Sequence, residues 1–88
     1  MGLSRFQDIS KEDKMKLTFD DFTVSEIRYI IEETVLTESD QRIAELRFIK
    51  KLSIERIAEV MGYDKKTIFL HCNAIKEKLL KTIQKILL

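Results

Sequence analysis

Eighty-eight residues with no proline and two glycines suit one small helical domain, with a modest core that buries only about 60–65% of the unfolded surface. A single cysteine, Cys72, excludes an intrachain disulfide and fits a reducing compartment. No apolar run approaches the roughly 20 residues of a membrane span, and the N-terminus lacks a signal-peptide stretch, so a cytoplasmic protein with no membrane contact is expected. The net charge of +1 hides a gradient: residues 1–40 carry −5, residues 41–64 carry +1, and residues 65–88 carry +5, with six lysines against Glu77.

Residues 1–22 are polar and mixed in charge, with scattered Leu3, Phe6, Ile9 and Met15. They read as a loosely ordered N-terminal arm with a short helix near Ser10 to Lys16. Leu17, Phe19 and Phe22 are placed to pack on the domain that follows, residues 23–88. That domain opens at Thr23, whose spacing to Glu26 is that of a capping box, each side chain taking up a free backbone amide. Val24, Ile27, Ile30 and Ile31 form the predicted buried stripe of this helix, which ends near Thr34.

Thr37 is the next N-cap, with Glu38 and Asp40 in the acid-favouring first turn. Ile43 and Leu46 supply its core face, and Lys50 and Lys51 close it at the negative end of the helix dipole. Ser53 caps a short third helix with Ile54, Ile57, Ala58 and Met61 on its apolar side. Gly62 stops it, because glycine adopts the left-handed conformation without steric cost. Asp64 caps a fourth helix from Lys65 to about Leu87, with Ile68, Cys72, Ile75, Leu79, Ile83 and Ile86 as its stripe.

The expected fold is therefore all-α: a four-helix helix-turn-helix domain with a long C-terminal helix. A short helix, a glycine turn and a basic second helix form the unit whose second helix enters the major groove of double-stranded DNA. The candidate DNA-binding residues are Lys65, Lys66, Thr67, Phe69, Asn73, Lys76 and Arg47. The lysines offer charge to phosphate, and Asn73 has the geometry to pair with adenine. Each has a plainer role open to it. The lysines are also what a solvated face would carry, Thr67 also suits the cap, and Arg47 suits an ion pair with Glu55 or Glu59. Phe69 either touches a thymine methyl or packs on the arm or a partner chain.

Residues 46–68, LRFIKKLSIERIAEVMGYDKKTI, resemble region four of bacterial sigma factors, the promoter-reading domain. Leu46, Arg47, Phe48, Leu52, Ser53, Glu55, Ile57, Ala58 and Gly62 carry the resemblance. Leu36-Thr37, Thr67-Ile68, His71, Ile75 and Lys78-Leu79 are also similar to the LuxR-type response-regulator domain. Both resemblances, over residues 36–80, imply one architecture and a transcription regulator. The chain leaves no room for the separate sigma domain that melts promoters, so the resemblance implies a small free-standing phage or prophage regulator. Phe69 and Leu70 depart from it, standing where the family carries polar or basic residues.

Chemistry other than binding finds little support. His71 and Cys72 are adjacent, point about 100° apart on a helix, and fall short of the four ligands of a structural zinc site, so no metal or cofactor is expected. The acid pairs Asp20-Asp21 and Glu32-Glu33 do not converge on a cleft, so no catalytic residue and no enzyme activity is expected. The apolar tail predicts a homodimer through Leu79, Ile83, Ile86 and Leu87. Two alternatives are an RNA polymerase-binding adaptor, which the resemblance implies, and a small-terminase-like packaging protein.

Overall fold

Each helix begins where a short polar side chain takes up a free amide. The computed structural model describes residues 3–87 and contains α1 (Lys11–Met15), α2 (Val24–Glu32), α3 (Glu38–Ala44), α4 (Ile54–Met61) and α5 (Lys65–Leu87). No strand occurs among the described residues. Ser10 caps α1, accepting from the Asp13 amide at 3.1 Å. At α2 the capping box is complete: Thr23 Oγ1 accepts from the Glu26 amide at 3.2 Å, and Glu26 Oε1 accepts from the Thr23 amide at 2.8 Å. Thr37 caps α3, Ser53 caps α4, and Asp64 caps α5 through the Thr67 amide.

Two details of the helix pattern differ from the sequence expectation. α2 ends at Glu32 rather than Thr34, and Val24 is exposed, leaving Ile27, Ile30 and Ile31 as the buried face. α3 widens at its end into a looser turn over Glu45–Ile49, in which the Lys50 amide reaches back five residues to the Glu45 carbonyl at 3.1 Å. The chain then leaves through Lys51, whose φ of 57° is left-handed. The Leu52 amide donates to the Leu46 carbonyl at 3.0 Å and closes this corner.

Residues 3–22 do not trail from the domain; they pack on it. Leu3 and Phe6 are buried, and the Phe6 ring meets Phe22 with centroids 4.9 Å apart. Arg5 clamps the segment down, donating from Nε and Nη2 to the two carboxylate oxygens of Glu26 at 2.6 and 2.8 Å, and also to the Asp21 carbonyl. Glu26 thus serves a helix cap and an ion pair at once. Arg5 holds its carboxyl below the ordinary value, more than offsetting the effect of burial. Beside Leu3 and Ser4, Lys14 Nζ donates to the Leu87 carbonyl at 3.1 Å. A cation there suits the negative end of α5.

α5 organises the rest. Its 23 residues run about 34 Å at 1.5 Å per residue and give the molecule its 42 × 21 × 20 Å shape. Ile68, Cys72, Ile75, Leu79, Ile83 and Leu87 are its buried stripe. The last member is Leu87, not Ile86, because the steps of four from Leu79 and Ile83 continue to it; Ile86 is 37% exposed. Leu79, Ile83 and Leu87 are therefore enclosed by their own chain, together with Ile27, Ile30 and Ile31 of α2. Of the four residues expected to form a dimer surface, Leu79, Ile83 and Leu87 are thus buried in the chain's own core and Ile86 is exposed. No helix of the described residues is long and apolar enough to cross a membrane.

Candidate nucleic-acid interface

The corner between α4 and α5 decides where the basic helix points. Gly62 adopts φ 76° and ψ 24°, and both its own amide and that of Tyr63 donate to the Ala58 carbonyl, at 2.9 and 3.1 Å. Both bonds converge on that one carbonyl and close the end of α4. A Cβ at Gly62 would meet nothing within 4 Å, so the position requires glycine for its backbone conformation and not for space. Ile57 and Ala58 of α4 and Ile68 of α5 are buried on either side of the turn and hold the crossing. Asp64 then starts α5. Its carboxyl is held below the ordinary value, chiefly by hydrogen bonding from the Thr67 side chain and then the Thr67 amide.

The first turn of α5 differs in charge from those of α2, α3 and α4. Those carry Glu26, Glu38 with Asp40, and Glu55. α5 carries no acid there, but Lys65 and Lys66. Lysines at the positive end of a helix dipole oppose it, so they do not serve the stability of α5. Lys65 reaches Glu55 Oε1 at 3.4 Å, an exposed pair of the kind that contributes little. Lys66 is exposed, and no Asp or Glu occurs between Lys65 and Lys76.

The remaining candidates divide into two groups. Thr67 is half-buried and takes part in the cap. Phe69, Asn73 and Lys76 are exposed along one flank of α5, with Phe69 at 54% exposure. They border a groove of about 790 Å³ between α5, the Met15–Asp20 segment and the α3–α4 corner. Arg47 borders the same groove, and its Nη1 donates to the Leu52 carbonyl at 2.8 Å. Glu55 and Glu59, its expected partners, are paired with Lys65 and Arg56 instead. The structure thus brings Arg47, Phe69, Asn73 and Lys76 to one groove and leaves Lys65, Lys66 and Thr67 at the tip of α5.

Three features of this surface were not found from the sequence. Lys51 joins the groove rim from its left-handed position, and Lys14 joins it from α1. Neither has a local signal beyond being a lysine near a helix end. On the other flank of α5, His71 Nδ1 lies 2.8 Å from Asp40 Oδ1, and the His71 ring lies parallel to Tyr63, within 6°, at 6.3 Å. Asp40 and His71 are 31 residues apart, so only the tertiary fold unites them. Cys72 lies between the two flanks, buried, with burial raising its thiol pKa and favouring the neutral form. Val60, Tyr63 and Leu70 add exposed apolar surface around the turn.

No known family, curated protein or solved structure matches this chain.

Proposed function

We propose that this protein is a transcription regulator that binds double-stranded DNA through α4, the Gly62 turn and α5, with the first half of α5 in the major groove. The observation that carries this reading is the start of α5: Lys65 and Lys66 stand exposed on a helix end where they oppose the dipole, and α5 itself contributes no acid from Lys65 to Lys76. Phosphate contact gives those charges a purpose that folding does not. Lys65, Lys66 and Lys76 then meet phosphates, and Asn73 and Phe69 face base edges, Asn73 toward adenine and Phe69 toward a thymine methyl. Arg47 contributes through the donors it does not direct at Leu52. The resemblance of residues 46–68 to sigma region four agrees with this assignment.

Fluorescence anisotropy on a random duplex at low and moderate salt tests it. Affinity is expected to fall steeply with salt, with each phosphate contact adding about 0.9 to the logarithmic slope. The Lys65→Ala/Lys66→Ala pair should weaken binding and lower that slope by about 2. An absence of binding at low salt, or a slope untouched by the substitutions, would overturn the assignment.

The exposed apolar side chains of Val60, Tyr63, Phe69 and Leu70 favour a second reading, a protein-docking adaptor for RNA polymerase. Its mark would be polymerase retention that survives loss of Lys65 and Lys66 and fails on Leu70→Asp.

A further inference from the structure

The groove beside α5 has a composition that DNA contact alone does not explain. Its limits on α5, Phe69 and Gln84, are 15 positions apart, about 22 Å along the helix axis. Ile27, Cys72 and Ile83, all buried, contribute to its apolar lining. Phe19 and Phe48 form an aromatic pair in its wall, with ring centroids 4.7 Å apart. The volume of about 790 Å³ falls within the range of about 300–1,000 Å³ usual for sites that take small molecules.

The rim is cationic. Arg47 and Lys51 come from the α3–α4 corner, Lys76 from the facing helix and Lys14 from α1, and the one acid in the lining is Asp20; the Lys14 amine is committed to the Leu87 carbonyl, which leaves the other three. None of the three cations makes an ion pair among the described residues. Lys51 also stands at a left-handed backbone position that glycine would occupy with less strain, which gives its side chain the stronger claim on the site. Three unpaired cations around an apolar trough call for an anion with an apolar body.

We propose that this groove binds an anionic amphiphile of the long-chain fatty acid class, the hydrocarbon chain lying on the apolar lining and the carboxylate set among Arg47, Lys51 and Lys76. The length of the trough suits an extended chain better than a compact acid. A DNA phosphate would satisfy the cations and leave the trough unused. Phe69, Asn73 and Lys76 belong to the groove and to the proposed DNA face alike, so an occupied groove lowers DNA affinity. This coupling rests on the DNA-binding reading; the binding of the fatty acid does not.

The test is a fluorescence titration of the full chain with dansyl-labelled undecanoate below its micelle concentration, followed by displacement with decanoate, dodecanoate, tetradecanoate and dodecanol. Saturable one-to-one uptake is expected, with affinity rising up to about fourfold per added methylene. The exposed pair Lys51→Ala/Lys76→Ala, checked for an unchanged circular dichroism spectrum, should weaken dodecanoate about tenfold and leave dodecanol unaffected. Unsaturable uptake, equal affinity for the acid and the alcohol, or indifference to the two lysines would overturn the proposal. So would a chain that sediments as a dimer and takes up the probe only on dilution, which gives the groove to a second copy. Anisotropy on duplex DNA with saturating dodecanoate reads the coupling: a fall in affinity supports it and an unchanged affinity overturns it. A chain that takes up the fatty acid and binds no DNA would fail the reading under Proposed function and leave this site standing.

Discussion

The corners on either side of α4 both pass through the left-handed region, Lys51 at φ 57° and Gly62 at φ 76°, yet they are built from opposite materials. At Gly62 the residue relieves the strain, and two backbone bonds to Ala58 finish the helix. At Lys51 an L side chain endures a conformation that costs about 1–2 kcal/mol. The corner is held from outside instead, by the wide turn after α3 and by Arg47 donating to the Leu52 carbonyl. A left-handed corner thus needs either a permissive residue or an external brace. The braced corner is the one that lines the groove.

The largest break of that comparison is expected at the helix both corners hold. Ile57 of α4 is fully buried, and Ile57→Ala should cost about 3 kcal/mol in urea unfolding. A cost under about 1 kcal/mol would mean that α4 is not fixed by the core. Arg47→Ala removes the brace and should cost about 2 kcal/mol, the size of a hydrogen bond from a charged group. Gly62 has no comparable side-chain support to lose.

The Arg5–Glu26 clasp is a control that shares no hydrogen bond with either corner. Glu26→Gln should cost about 1.5 kcal/mol near neutral pH through the weakened cap and pairing, and should flatten the acid limb of stability. The sign follows from the carboxyl being held low by Arg5. Its contribution is complete above the unfolded carboxylate value of about 4.3 and is lost as pH falls through the lower folded value. Urea midpoints between neutral pH and pH 3 for both chains measure the difference.

The two smallest effects are reciprocal and sharpen the contrast most. Gly62→Ala should destabilise by about 1 kcal/mol although the new methyl touches nothing. Lys51→Gly should stabilise by about 0.5 kcal/mol, strain relief being partly offset by the greater chain entropy of glycine. If both substitutions destabilise equally, the left-handed strain at Lys51 is not the controlling quantity there.

The sequence by itself determined the helices, because their signals are local. The spacing of Thr23 to Glu26, the cap positions of Thr37, Ser53 and Asp64, and the glycine at 62 are interactions over three to five residues, and each stands where its pattern indicated. Helical periodicity located most of the core by the same reasoning. It missed Val24 and Ile86, which sit at helix ends where period alone does not say which neighbour is covered. The tertiary structure alone decided everything that joins distant residues. It buried Leu3 and Phe6, paired Arg5 with Glu26 and His71 with Asp40, and enclosed Leu79, Ile83 and Leu87 against α2. It also gathered Arg47, Lys51 and Lys76 around an apolar groove. The physical reason is that a cap or a turn is settled by the conformation of a few adjacent bonds, whereas a contact between remote side chains exists only once the whole chain has chosen how its helices cross.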